Sequence, residues 1–486
     1  MPSQNVLVIG GGLAGLSSAV ALAEAGFRVH LLEKRPHLGG RATSYTLPDG
    51  SEVDNCQHVT LGCCTNLADF YRRAGATDMV RFYDRLIFAD KRGRRSTIES
   101  SWLPPPLHMA PSFMFFRALS FADKRCIGAA LLAVAKSGGK PSGAEGISML
   151  DWLHRMKQTP GAIERYWRVV LVSALDEELA RMDALYGIEV FWKAFLASRS
   201  GYRVGIPTVP LADLYEGCKQ AVEKRGGVVR LRSGVREIRL EAGAFAGAVQ
   251  EDGSIVPADA CVAAVPQDAL LNLLPKQMAE PGHVLEGLPR LENSPITSAH
   301  FWFDRPVMTE PFLTLLDHTT QWVFNKSLLL ETGAARNGGA ARPAQKDGQY
   351  LQLVISASYD LVPRSRQEII EMCRKELAEV LPATKDAELV KATVIKEVNA
   401  TFSPAPGVDR WRPAQDIGVR NFFLAGDWTR TGWPATMEGA VRSGYLAAEA
   451  VAAAAGKSEK FLQPDLPFEG LCRSWARRAA RRSKEK

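Results

Sequence analysis

Long hydrophobic runs are missing from this 486-residue sequence. No stretch approaches the ~20 consecutive apolar residues that cross a bilayer. The longest, "CIGAALLAVA" at 126–135, lies between Lys124, Arg125 and Lys136 and reads as a buried or surface-dipping helix. Paired cysteines are missing too. The eight present (Cys56, Cys63, Cys64, Cys126, Cys218, Cys261, Cys373 and Cys472) show no repeating spacing and no C-x-x-C. That excludes a disulfide framework and a zinc module, and it suits a reducing, cytoplasmic setting. "NVLVIGGG" has neither the basic segment nor the cleavage site of a secretory leader. An excess of one charge is also absent from the body of the chain. The formal charge is +7, but the last 14 residues, "RSWARRAARRSKEK", carry a net +6 and leave the rest near +1. No nucleic acid is therefore expected as a partner.

What remains is an ordinary globular composition, 46% hydrophobic and 23% charged, in a chain long enough for two intertwined domains. Its sharpest motif is "NVLVIGGGLAGLSSAVALAEAGFRVHLLEKR". Residues 5–9 read as a buried parallel strand, 13–25 as a helix and 28–33 as a second strand. Gly10, Gly12 and Gly15 form G-x-G-x-x-G at the first turn. They allow a tight turn, a close approach of backbone to a pyrophosphate at the helix N-terminus, and close helix-to-strand packing. Glu33 ends the second strand, where an acid accepts hydrogen bonds from adenosine ribose hydroxyls. An acid there favours the free 2'-hydroxyl of NAD or FAD over the 2'-phosphate of NADP.

Two further stretches extend this site. "KRPHLGGRATSY" offers Gly39, Gly40 and Arg41, able to bring backbone donors and a guanidinium to the pyrophosphate. "NFFLAGDWTRTGWPATMEGAVRSGYLAAEAVAAA" repeats the logic, with a strand at 422–425, a turn at Gly426 and Asp427, and a long helix over 436–454. The acid can hold a ribityl hydroxyl, and the helix N-terminus suits the negative charge of a reduced flavin ring.

The segment "VDNCQHVTLGCC" at 53–64 crowds an aspartate, a glutamine, a histidine and three cysteines together. Its C-x-H-x4-C-C spacing lacks the ligand pairs of a zinc site, so no metal is expected, and adjacent cysteines rarely bridge, so no dithiol centre is expected either. Cys63 and Cys64 read as small packing residues. Asp54, Gln57 and His58 are the segment's polar groups, and Asp54 and His58 can simply hydrogen-bond backbone there.

With both ends in view, "VIGGGLAGLSSAVALAEAGFRVHLLEKRPHLGGRA" and "FFLAGDWTRTGWPATMEGAVRSG" resemble the FAD-dependent superfamily of amine oxidases and phytoene desaturases. Within it, "VDNCQHVTLGCCTNLADFYRRAG" resembles the squalene-associated hydroxysqualene dehydroxylases, which typically have glycine where this chain has Cys56. The resemblance implies an α/β fold: a discontinuous Rossmann-like FAD-binding domain (1–90, 205–270 and 410–455) with a mixed α+β substrate domain (91–204 and 271–409). A basic tail follows at 456–486. It implies FAD contacts at Gly10, Gly12, Leu13, Ala14, Gly15, Glu33, Lys34, Gly40, Arg41, Gly426, Asp427 and Met437, and a main-chain contact to adenine near Val235.

The implied reaction is reduction of hydroxysqualene to squalene: an acid, Asp54 or His58 with Gln57 nearby, helps an allylic alcohol leave, and reduced flavin quenches the cation with hydride. The alternatives are a polyene desaturase on the same scaffold and a lipid-binding escort protein resembling Rab GDP-dissociation inhibitors. The region "TRTGWPATMEGA" has no cysteine for covalent flavin attachment, which makes amine oxidation less attractive. One dinucleotide fingerprint leaves the electron donor unassigned. The tail, with Trp475 near its start, is expected to contact an anionic membrane peripherally or to be a disordered terminus. A Gly, Ala and Pro rich stretch at 330–348 is expected to be a surface loop.

Overall fold

A computed structural model describes residues 4–330 and 348–484. All but the two end residues of the loop expected at 330–348 lie outside them.

The apolar runs assemble a five-stranded, all-parallel sheet from distant parts of the chain. Its order is Val228–Arg230, Arg28–Leu32, Asn5–Ile9, Ala260–Ala263, Phe422–Leu424. Such strands are buried on both faces, so they read as continuous hydrophobic runs without alternation. Helices α1 (Leu13–Glu24) and α3 (Met437–Ala454) cross on this sheet at backbone contact. A Cβ on Gly444 would stand 2.1 Å from Ser17 Oγ and 2.2 Å from the Ala14 carbonyl oxygen. The small residues of "LSSAVALA" and "GAVRSGYLAA" are therefore what bring the two helix N-termini to one edge of the sheet.

A second sheet has seven strands, in the order Leu389–Phe402, Asn293–Phe303, Gln349–Ile355, Trp322–Asn325, Phe312–Leu315, Arg85–Ala89, Arg95–Glu99. Alternation sorts its faces. Ala299, Phe301 and Phe303 pack with Ile369, Cys373 and Leu377 of the helix Arg366–Val380. Ser298, His300 and Trp302 consequently point the other way, where Trp302 packs with Val53 and Tyr350. The strand Arg85–Ala89 pairs with Phe312–Leu315, so the expected first piece, 1–90, runs too far: its end belongs to the second sheet. Its alternating apolar residues complete a sheet that "RLIFA" alone does not announce.

Residues between 91 and 204 form helices around an aromatic cluster in which Trp167 touches Trp152, Tyr166 and Phe191. Helix α2 (Phe121–Lys136) starts from a capping box, Ser120 and Asp123 exchanging hydrogen bonds with each other's backbone. The basic tail departs from the expectation of a disordered terminus. Its residues Gly470–Lys484 are a helix, α4, packed on α2. Cys472 is buried, and Trp475, Ala476 and Ala479 follow on the same side, half-buried. Trp475 thus faces protein, because helical spacing aligns it with Cys472.

Candidate functional site

The cofactor end begins at the first strand's exit. Gly10 has φ +107°, a conformation L side chains rarely adopt, and a Cβ on Gly15 would lie 1.9 Å from the Gly10 carbonyl oxygen. No side chain caps α1 at Gly12, and no acid occupies its first turn. The N–H groups of the first turn, including those of Leu13 and Ala14, are therefore available to an anion. Nothing crowds that approach: from the position of a Gly12 Cβ, the nearest atom is Gly40 Cα at 3.8 Å.

Glu33 is buried and accepts from the backbone N–H of Gly11 at 2.6 Å and of Arg35 at 2.8 Å, which fixes the turn and holds the carboxylate at the strand's end. Lys34 beside it is exposed. The Glu33 carbonyl accepts from the Ser233 N–H at 2.8 Å, so Val235 starts its strand two residues beyond a contact with the second strand's end.

Arg41 and Asp427 come together: Nη2 lies 2.6 Å from Oδ1, and Nη1 donates to the Ala400 carbonyl at 2.9 Å. The Gly426 N–H donates to Ser443 Oγ of α3 at 2.8 Å. Arg412 is buried, and its Nη2 donates to the carbonyls of Asp427 (3.0 Å), Thr429 (2.5 Å) and Trp433 (2.9 Å), shaping the whole loop into α3. Thr436 caps α3 by accepting from the Gly439 N–H, and Met437 is its first residue. An uncapped helix start, an acid at the second strand's end, an arginine beside the glycine turn and a second helix start make a cradle that fits a flavin dinucleotide.

A cavity of about 210 Å³, lined by Met437 and Gln57 among others, lies between the second sheet and the helical residues 169–195. Its walls include Leu61, Phe88, Val170, Phe195, Trp322 and Phe324. Polar groups are few; Lys193 on the wall pairs with Glu189 at 2.7 Å. Glu438 accepts from the N–H groups of Asn66 (3.2 Å) and Leu67 (2.7 Å), and burial raises its pKa above the ordinary carboxylate range.

Next to Gln57 lies a buried ion pair. Lys326 Nζ donates to Asp54 Oδ2 and to Gln57 Oε1, both at 2.8 Å, with Asp54 and Lys326 almost wholly inaccessible. Asp54 Oδ1 also accepts from Ser44 Oγ at 2.8 Å and the Leu211 N–H at 3.1 Å. Burial pushes this carboxyl up, but Lys326 and the donated hydrogen bonds outweigh it, and its pKa lies below the usual value. Asp54 is thus a carboxylate held by an ammonium, which corrects its expected role as an acid. His58 is corrected likewise. Its Nδ1 donates to the Cys56 carbonyl at 3.1 Å, and burial lowers its pKa, so the ring is neutral. Gln57 stands at the cavity wall. Cys63 packs against Ala194 and Trp433 as a small apolar residue.

A polar lattice backs the pair. Gln352 Nε2 donates to Ser298 Oγ at 3.0 Å, and His300 Nδ1 meets the Tyr350 hydroxyl at 2.7 Å. Burial drives the His300 pKa to about 3. Lys326 and Arg412 are the site residues that the sequence hid. The signal was faint: in "QWVFNKSLLL" a lysine closes an apolar strand, and lysine is almost never buried without a partner.

The comparisons agree with this geometry. The model of flavin containing amine oxidoreductases matches residues 13–452. The chain belongs to this family. Its cofactor is FAD, and it is an FAD-dependent oxidoreductase. Among its relatives, the chain is 29% identical over 463 residues to 15-cis-phytoene desaturase of Solanum lycopersicum, covering 92% of this chain and 77% of the relative. It is 27% identical over 473 residues to zeta-carotene desaturase of Arabidopsis thaliana, covering 92% and 85%. In fold it is similar to an oxidoreductase of Methanosarcina mazei, with TM-score 0.68 at 19% identity, covering 90% of this chain and 98% of the other.

Proposed function

We propose that this FAD-dependent oxidoreductase acts on a long-chain isoprenoid and that its direction is oxidative, the desaturation of a polyene. The observation that carries the reading is the cavity: mostly apolar, it is lined by Gln57 and by Met437, the first residue of α3 in the cofactor cradle. A hydrocarbon asks of its pocket only shape and apolar contact. The phytoene and zeta-carotene desaturases among the relatives support the same direction.

Bound FAD supplies a hydride acceptor, and the chain supplies orientation and a dry, charged floor. Asp54 pairs with Lys326, whose Nζ also fixes Gln57. Their charges are oriented before substrate arrives, which makes them effective toward charge that develops at the reacting end. Desaturation also releases a proton from the neighbouring carbon. His58 is neutral with its Nδ1 committed to Cys56, so Nε2 is the ring's proton-accepting nitrogen.

Dehydroxylation of hydroxysqualene is the second reading, favoured by one observation. Gln57 is a polar side chain on the wall of a mostly apolar cavity, where a lone alcohol finds a hydrogen bond. It ranks second because Asp54 is ionised and His58 neutral, leaving neither as the acid.

One anaerobic experiment separates the two. Oxidised protein mixed with a partly saturated polyene should bleach at the flavin band and yield a product two hydrogens lighter by mass. Dithionite-reduced protein reoxidised by hydroxysqualene, with squalene formed and no bleaching by the polyene, would replace desaturation with dehydroxylation.

A further inference from the structure

The three most exposed large apolar side chains among the described residues are Trp102 (83%), Phe115 (82%) and Phe121 (75%), and they fall within 20 positions of one another. Single exposed aromatics are common on protein surfaces, whereas a grouped set marks an interaction site. Hydrogen bonds tie the backbone beside them to the rest of the fold. Arg199 Nη2 donates to the carbonyls of Trp102 and Leu103 at 3.0 Å, and Lys124 Nζ of α2 donates to the Met114 carbonyl at 2.7 Å.

The surroundings are basic. The exposed stripe of α2 carries Phe121, Arg125, Leu132 and Lys136. Between 101 and 136 the one acid, Asp123, is buried in its capping box. Helix α4 docks beside this segment, the Leu471 N–H donating to the Pro105 carbonyl at 2.9 Å. The sequence of α4 contains no acid, and Arg473, Arg477, Arg478 and Arg481 lie on its exposed side.

The same segment reaches the cavity. While Met114 and Phe115 face out, Phe116 faces in and packs edge-on against Phe88 with ring centroids 5.1 Å apart. Phe88 lines the cavity.

We propose that this face docks on an anionic phospholipid bilayer, with Trp102, Phe115 and Phe121 entering the interface and the α4 arginines meeting the headgroups. Apolar side chains supply the buried area and arginines the attraction to anionic lipid, the two components of interfacial binding. The face stands one aromatic layer from the cavity, so a bilayer-dissolved substrate arrives on the side where it is used. That purpose rests on the function proposed above; the binding itself does not, and its test involves no turnover.

The FAD-loaded full chain is sedimented with vesicles of phosphatidylcholine alone or mixed equally with phosphatidylglycerol. Two variants accompany it: Trp102→Ser/Phe115→Ser/Phe121→Ser, and Arg473→Gln/Arg477→Gln/Arg478→Gln/Arg481→Gln. Their flavin absorbance reports that each is folded. The wild type should bind the anionic vesicles and release with salt, and each variant should need at least about tenfold more lipid. Wild-type protein left in the supernatant at low salt, equal binding to both vesicle types, or flavin-loaded variants that bind like wild type would each overturn the proposal.

Discussion

The two ends of the site are built by opposite means. At the cofactor end, the pyrophosphate turn is made by local contacts of small residues and backbone: the Gly10 turn, the uncapped start of α1, and Glu33 holding the Gly11 and Arg35 amides, with Arg41 and Asp427 the long-range addition. At the substrate end, the groups that matter are large side chains meeting across hundreds of positions, as Asp54 meets Lys326. Recognition of a pyrophosphate needs a conformation, and a conformation is written in consecutive residues. A charged floor beneath an apolar cavity needs a pair, and only the fold makes the pair.

The sharpest way to break this contrast is to remove half of the pair. Lys326→Met leaves Asp54 buried without its partner and should cost about 3–5 kcal/mol of stability. Adding Asp54→Asn should restore most of that loss, as read by chemical unfolding of the flavin-loaded proteins. If Lys326→Met alone costs nothing, the ion pair is not what the site is built on.

At the cofactor end, Gly15→Ala should weaken FAD binding about tenfold or more, about 1.4 kcal/mol, with the fold kept. The added carbon has no room beside the Gly10 carbonyl, so the turn must shift. Flavin absorbance per mole of purified protein reads the effect.

Acid should affect the substrate end next. His300 is depressed to about 3 by burial, so the folded state binds fewer protons than the unfolded state between that value and the ordinary histidine pKa. Stability is then complete above about 6.5 and falls as pH drops through this window, by about 1.4 kcal/mol one unit below it. His300→Gln should flatten the pH dependence of the unfolding midpoint. A smaller effect is expected at Val235, which is read through its main chain: Val235→Ala should leave FAD affinity within about twofold, under about 0.5 kcal/mol.

The contrast also explains what was legible beforehand. The sequence marked the strands Asn5–Ile9, Arg28–Leu32 and Phe422–Leu424 and the helix Met437–Ala454, because each carries its own glycine, cap or apolar run. It marked Arg41 and Asp427 singly but not their contact at 2.6 Å. Asp54 was visible as an acid in an odd segment. Its ionised state was not, since that depends on a lysine 272 positions away. Likewise "RSWARRAARRSKEK" announced charge without announcing a helix whose small residues pack on α2.

The central claim is that the Asp54–Lys326 pair serves the reaction and not only the fold. The anaerobic bleaching of flavin by a partly saturated polyene, compared between wild type and flavin-loaded Asp54→Asn/Lys326→Met, tests it most directly. A folded double variant that bleaches about 100-fold more slowly is the predicted result. A double variant that bleaches at the wild-type rate would contradict the claim and reduce the pair to a structural contact.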